Sequence, residues 1–361
     1  MLSPRNAVRT LPSYHPPLAG RDGLRLDFNE NTVGCSPRVL ERLRQLGLED
    51  LARYPERVPV EAIVADFLGI EAAELLLTNG VDEAIHLLCQ TYLEAGDEAL
   101  IAVPTYSMYR IYMMAAGAEI TSVAASRDFR FPFEVLRNRI TKRTRLIAIA
   151  NPNNPTGMVA SPEELLTIAR SAPAAAVLVD EAYFEFCQQT LLTKFRELPN
   201  LFVARTLSKA YGMAGLRVGV LVGDPGQMRA VRRVSSPYNV NAVALACLPA
   251  ALADQGYVQQ YVKDVLEART HLELALEASG ISFWPSAANF VLARVGSTQA
   301  AAAFVEQMHR RRILVRDRSS DHGCEGCVRI TLGPRDHSDR LLAALHETIE
   351  ELGVTQGASR P

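Results

Sequence analysis

The segment Arg205-Thr-Leu-Ser-Lys209-Ala-Tyr-Gly-Met-Ala-Gly-Leu-Arg217 sets a lysine just beyond an apolar run, among small residues, with an arginine eight positions on. Partial burial and a nearby cation both disfavour an ammonium, so Lys209 is suited to be a neutral amine that attacks an aldehyde. The ordinary alternative is a surface lysine with its head in water. A second group is Asp180, which ends the apolar run Val177-Leu-Val-Asp180 and is followed by Glu181-Ala-Tyr183. A carboxylate at the C-terminal end of a parallel strand sits where open α/β sheets bind ligands. There it can ion-pair with a protonated pyridine nitrogen and keep the ring an electron sink. Taken alone, Asp180 reads equally well as a loop acid or a helix cap.

The run Asn151-Pro-Asn-Asn154-Pro-Thr-Gly157 follows another apolar stretch, and its two prolines and final glycine dictate a rigid turn rather than a helix entry. Such a turn can aim the Asn154 amide, alongside the Tyr183 phenol, at a phenolate oxygen on a bound ring. Thr78-Asn-Gly80-Val81-Asp82-Glu83 joins a strand to a helix, and the free N–H groups of a helix start make an anion site. Thr206, Ser208 and Arg217 can complete a phosphate shell with hydroxyls and a guanidinium. The chain contains neither GxGxxG nor GxxxxGK[ST], which removes support for dinucleotide and P-loop readings.

These groups need a scaffold, and the chain supplies an alternating one. Apolar runs at Glu74–Thr78, Ala99–Val103, Ile120–Ala124, Arg145–Ala150, Ala176–Asp180, Leu201–Arg205 and Arg217–Val222 predict strands, with helices between most of them. That is an α/β fold with a mostly parallel sheet flanked by helices. Ser161, Pro162 and Glu164 predict a capping-box helix start, the helix running to about Ser171. Beyond Asn241 the pattern changes to long helices through about Ser279, then to mixed strands and helices as far as Gly353. The expected organisation is therefore an arm over 1–33, a large domain over 34–240 and a smaller α+β domain over 241–361. Pro4, Pro12, Pro16 and Pro17 make the arm extended rather than helical.

With 38 basic residues against 40 acidic ones, no surplus charge is available for nucleic-acid phosphates. The chain has no signal-peptide pattern and no apolar run long enough to span a bilayer, so a cytoplasmic protein with neither nucleic-acid nor membrane partners is expected. The six cysteines are scattered, and only Cys324 and Cys327 form a CxxC. A single pair lacks the second pair of ligands that a zinc site needs, so packed thiols and no metal are expected.

Asn154, Asp180, Tyr183, Lys209 and Arg217, in this order and spacing, resemble the fold-type I (class I/II) aminotransferases, which use pyridoxal 5'-phosphate (PLP). More closely the chain resembles the histidinol-phosphate aminotransferase subfamily over nearly its whole length. That likeness rests on Leu26-Asp-Phe-Asn-Glu-Asn31, Arg53-Tyr-Pro55, Asn79-Gly-Val-Asp-Glu-Ala84, Pro104-Thr-Tyr-Ser-Met-Tyr109, the NPNNPTG turn, Asp180-Glu-Ala-Tyr183, Thr206-Leu-Ser-Lys209, Pro237-Tyr-Asn-Val-Asn241 and Val328-Arg-Ile-Thr-Leu-Gly333. The resemblance implies that Lys209 carries PLP covalently, that Asp180 holds the ring nitrogen and that Tyr106 stacks on the ring. It implies a homodimer in which Tyr54 reaches the partner's cofactor phosphate. Arg329 and Arg316 would clamp a substrate anion, and Tyr14, Asn31 and Tyr238 would lie near the substrate. The implied reaction takes L-histidinol phosphate and 2-oxoglutarate to imidazole acetol phosphate and L-glutamate, in histidine biosynthesis.

The chain departs from the pattern in places. Thr32 and Cys35 stand where the family has prolines, Val81 replaces a small residue in the phosphate loop, and Tyr14 follows Ser13 instead of proline. These positions touch the arm and the phosphate loop rather than the central chemistry, so they bear mainly on the substrate. An aromatic amino-acid aminotransferase and a PLP-dependent threonine-phosphate decarboxylase remain open as alternatives.

Overall fold

The computed structural model describes residues 2–13, 20 and 22–353. Its strands are β1 (Leu24–Arg25), β2 (Leu75–Thr78), β3 (Glu98–Val103), β4 (Glu119–Ala124), β5 (Thr144–Ala150), β6 (Ala176–Asp180) and β7 (Leu201–Thr206). They continue as β8 (Gly219–Val222), β9 (Ser282–Trp284), β10 (Phe290–Arg294), β11 (Ile313–Leu314), β12 (Arg316–Asp317) and β13 (Cys327–Thr331). Seven of them form one sheet in the order β2-β8-β7-β6-β5-β3-β4. Within it β4, β3, β5, β6 and β7 run parallel, and β8 is antiparallel to both its neighbours.

Parallel strands joined through helices are covered on both faces, which is why these runs are apolar at nearly every position. Leu75 and Leu77 enter one buried cluster and Leu76 the other; Ile147 and Ile149 divide from Leu146 and Ala148 in the same way. The two-residue side-chain period of a strand thus feeds two cores, one on each side of the sheet. The expected strands are present, with ends within two residues of those read from sequence. The largest change is at β8, which begins at Gly219 because Arg217 takes a left-handed backbone (φ 56°) and turns the chain back toward β2.

Ser161 caps the helix Pro162–Ser171 as expected: its hydroxyl accepts from Glu164 N, and Glu164 Oε2 accepts from Ser161 N at 2.7 Å. Past Asn241 come the helices Ala242–Leu252 and Gln255–Ala278, then an antiparallel sheet in the order β12-β13-β10-β9. The arm differs from expectation at one point. Asn6–Arg9 is a short helix, because residues 5–10 contain no proline and Arg5 Nη2 anchors the turn on Ala115 O at 2.8 Å.

Further along the arm, β1 pairs in parallel with β11, and Thr331 N of β13 donates to Leu26 O at 2.9 Å. Residues 27–31 are thereby held across the C-terminal ends of β5, β6 and β7. Cys324 and Cys327 are free, buried thiols beside Phe129, Trp284 and Leu292.

Candidate active site

A cleft of about 620 Å³ opens where β5, β6 and β7 end, between the large sheet, the arm and the β12–β13 pair. It is lined by Val81, Asp82, Tyr106, Asn154, Asp180, Tyr183, Thr206, Ser208, Lys209, Arg217, Arg316 and Arg329, all of them singled out from sequence. Lys209 stands just past β7, its Nζ donating to Phe28 O at 3.1 Å and lying 5.9 Å from the Tyr183 ring centre. Enclosure lowers its pKa to about 8, and the positive charge of Arg329, then of Arg217, pushes the same way against Glu30 and Asp82. The cation expected from sequence was Arg217; folding makes Arg329 the stronger neighbour.

Asp180 ends β6 and is almost wholly buried. Its Oδ2 accepts from Tyr109 OH at 2.6 Å and its Oδ1 from Ala182 N at 3.0 Å. Burial pushes its pKa up to about 6, against the lowering effect of these two donors. Tyr183, three residues on, accepts at its hydroxyl from Asn29 Nδ2 at 2.8 Å. Burial raises that phenol's pKa, and Arg329 and Asn29 draw it back.

The phosphate side is built at the start of the helix Gly80–Tyr92. Gly80 has φ +72°, and a Cβ there would come within 2.6 Å of Arg217 Nη2. Gly219 faces it so closely that a Cβ would meet Gly80 C at 2.6 Å. Only glycine permits this approach of two backbones and a guanidinium. Arg217 Nη2 pairs with Asp82 Oδ2 at 3.1 Å, and Tyr106 OH donates to Asp82 Oδ1 at 2.8 Å. Ser208 Oγ accepts from Thr206 Oγ1 at 3.0 Å and from Arg217 Nη1 at 3.4 Å. Thr78 Oγ1 is buried there with no hydrogen-bond partner.

On the opposite wall Arg329 is buried, its Nη1 donating to Asn154 Oδ1 and its Nη2 to Asp27 O, both at 2.6 Å. Asn154 thus anchors an arginine as well as facing the cleft. Arg316 lies directly across from Arg329 in the β12–β13 register and sits over the Phe28 ring at 5.4 Å. Arg329 Nε and Arg316 Nη1 are buried without an acceptor.

Other residues expected at the site lie elsewhere in this chain. Tyr54 is 77% exposed and stacks on Tyr238 with ring centres 4.3 Å apart, and neither lines the cleft. Asn31 does not line it either; it donates to Ala210 O at 2.9 Å and accepts from Val33 N and Gly34 N, tying the arm to the Lys209 segment. Tyr14 falls outside the described residues. Conversely, Tyr109, Asn29 and Arg318 were not singled out from sequence. Asn29 takes the left-handed region at φ 56°, a conformation asparagine tolerates and only the fold reveals. Arg318 follows Arg316 by two residues, the strand period. Tyr109 carried no such sign, being joined to Asp180 only by tertiary folding.

An enclosed amine, a buried carboxylate behind it and a glycine-walled anion cradle at the switch of an open α/β sheet define a class of enzyme that works on amino groups through an aldehyde cofactor. The chain belongs to the class I and II aminotransferases, whose family model matches residues 21–345. A histidinol-phosphate aminotransferase of Geobacillus sp. is 32% identical over 96% of this chain and 98% of its own length. Another of Roseobacter denitrificans is 36% identical over 89% of this chain and 90% of its own. The crystal structure of histidinol-phosphate aminotransferase from Sinorhizobium meliloti in complex with pyridoxal-5'-phosphate superposes with a TM-score of 0.88 at 27% identity, covering 96% of this chain and 98% of that one.

The residues of this chain fit such a cofactor. Lys209 offers an amine whose pKa is lowered to about 8, Asp180 a buried carboxylate for a ring nitrogen, and the Gly80 helix start a backbone where any side chain would meet Arg217, with the unpartnered Thr78 hydroxyl beside it.

Proposed function

We propose that this chain is a PLP-dependent aminotransferase that transfers the amino group of L-histidinol phosphate to 2-oxoglutarate, forming imidazole acetol phosphate and L-glutamate in histidine biosynthesis. The observation that carries the donor choice is the anion wall. Arg316 and Arg329 face one another across β12–β13 in the cleft that holds Lys209, with guanidinium N–H groups still lacking acceptors. Like charges opposite one another in a sheet repel, so the arrangement is suited to an anion between them. Histidinol phosphate has no α-carboxylate, and the same wall serves its phosphate in one half-reaction and a carboxylate of 2-oxoglutarate in the other.

When bound, PLP supplies an aldehyde that takes up the donor's amino group and a ring that draws electrons from the Cα–H bond. Lys209 would hold the cofactor through Nζ, and that same amine, when free, would take the proton from the donor Cα and return it on the far side of the amino nitrogen. A pKa lowered to about 8 from the usual 10.5 brings the proton-accepting free amine within reach of neutral pH, its share rising as pH approaches 8. Asp180 would keep the ring nitrogen protonated, and Tyr109 holds that carboxylate in place. Tyr183 and Asn154 would face the ring oxygen, while Tyr106 would pack against the ring. The backbone N–H groups at Gly80, Val81 and Asp82, with Thr206, Ser208 and Arg217, would hold the phosphate.

The reading includes a cytoplasmic homodimer. Tyr54 and Tyr238, exposed and stacked on one another, support that reading, in which Tyr54 would reach the cofactor phosphate of a second copy. No helix among the described residues is long and apolar enough to cross a membrane. The test is a donor screen with 2-oxoglutarate and purified holoenzyme, comparing histidinol phosphate, phenylalanine, tyrosine and threonine phosphate. The highest kcat/KM is expected with histidinol phosphate. Preference for phenylalanine or tyrosine would reassign the donor to aromatic amino acids, and carbon dioxide release from threonine phosphate would reassign the reaction.

A further inference from the structure

We infer that Arg318 is a specificity-determining residue of the anion wall: with Arg316 and Arg329 it forms a three-guanidinium face that selects a phosphate over a carboxylate. This deepens the proposed function and rests on it. Arg316 pairs with Arg329 and Asp317 with Val328, and Arg318 N continues the ladder by donating to Cys327 O at 2.9 Å. Side chains alternate faces along a strand, so Arg318 emerges on the same side as Arg316, two residues on. All three arginines line the cleft.

Their unmet donors come one from each: Arg316 Nη1, Arg318 Nε and Arg329 Nε are buried without an acceptor. A phosphate monoester presents three terminal oxygens and close to two negative charges; a carboxylate presents two oxygens in one plane and a single charge. Three separate donors therefore match the first and leave one unmet around the second. The Asp321 carboxylate borders this face. Asp321 pairs with Arg318 through Nη2, and Asp27 lends Arg329 its backbone oxygen. The Asp321 pair holds the Arg318 head in the wall while its Nε remains for the ligand. The two-residue spacing relates Arg318 to Arg316 in sequence, but only the β12–β13 register brings both beside Arg329.

The test uses holoenzyme with inorganic phosphate and acetate as probes, each measured as a competitive inhibitor against the amino donor. Arg318→Gln is expected to raise the Ki for phosphate about ten-fold or more, the scale of one lost charge-assisted contact, and to change that for acetate much less. Arg318→Lys keeps the charge without the fork and is expected to fall between. Bound-cofactor absorbance and thermal midpoint check folding; if the glutamine variant does not fold, the lysine variant decides by the same ratio of the two constants. An unchanged phosphate-to-acetate ratio in a folded variant overturns the inference while leaving the donor reading intact. Absence of phosphate competition in the wild type overturns the donor reading and this inference with it.

Discussion

Tyr109→Phe isolates one hydrogen bond on which the proposed chemistry depends. The Tyr109 side chain is fully buried, and its hydroxyl donates to Asp180 Oδ2 at 2.6 Å, within the range of a charge-assisted bond. Phenylalanine fills the same volume without the oxygen, so the core around Met113 and Ile101 keeps its packing. Asp180 keeps its second donor, Ala182 N, so it loses stabilisation rather than position. Hydrogen bonds to charged groups are worth about 1.5–3 kcal/mol, roughly a ten- to hundred-fold effect. The sign follows from the titration. Tyr109 stabilises the ionised carboxylate, so its loss raises the Asp180 pKa further above the value of about 6 that burial already imposes. More of the variant is then neutral at pH 7, and a neutral acid cannot hold a proton on the ring nitrogen. The expected result is a kcat lowered about ten- to hundred-fold at neutral pH, with the acid limb of the kcat profile moved to higher pH. The assay follows glutamate formation across pH, with cofactor content checked by visible absorbance. A kcat within two-fold of wild type and an unmoved acid limb, in fully loaded protein, would refute the coupling.

Three other outcomes are expected. Because Lys209 titrates near 8 in the folded chain against about 10.5 when unfolded, cofactor-free protein gains stability as pH rises through that window, and Lys209→Met should stabilise it at pH 7 by roughly 3 kcal/mol; denaturant unfolding with an equal or lower midpoint would contradict this. Gly80→Ala places a Cβ 2.6 Å from Arg217 Nη2 at a φ of +72°, so PLP affinity measured by equilibrium dialysis should fall about ten-fold or more, and unchanged affinity would remove Gly80 from the cradle. Mixing inactive Lys209→Ala with inactive Tyr54→Ala should restore part of the activity through hybrid dimers holding one intact site; no recovery despite verified subunit exchange would argue against a shared site.

What the sequence determined by itself was local. Ser161 and Glu164 cap their helix because both partners lie within one turn, and Asp180 ends its strand while Lys209 follows just past another because apolar runs stop there. The seven-residue NPNNPTG turn and the Lys209 segment likewise announce their chemistry through neighbours along the chain. Tertiary structure decided everything that depends on residues far apart. Tyr109 reaches Asp180 across 71 positions and Asn29 reaches Tyr183 across 154, partnerships that no local pattern encodes. The Lys209 pKa responds to Arg329 more than to the nearer-in-sequence Arg217, since only folding places charges in space. Asn154 illustrates both levels: its turn was legible, yet its bond to Arg329 exists because β13 is brought beside the end of β5. Periodicity shows which side chains share a face of one strand, but the register between β12 and β13, set by packing, decides that three arginines share one wall.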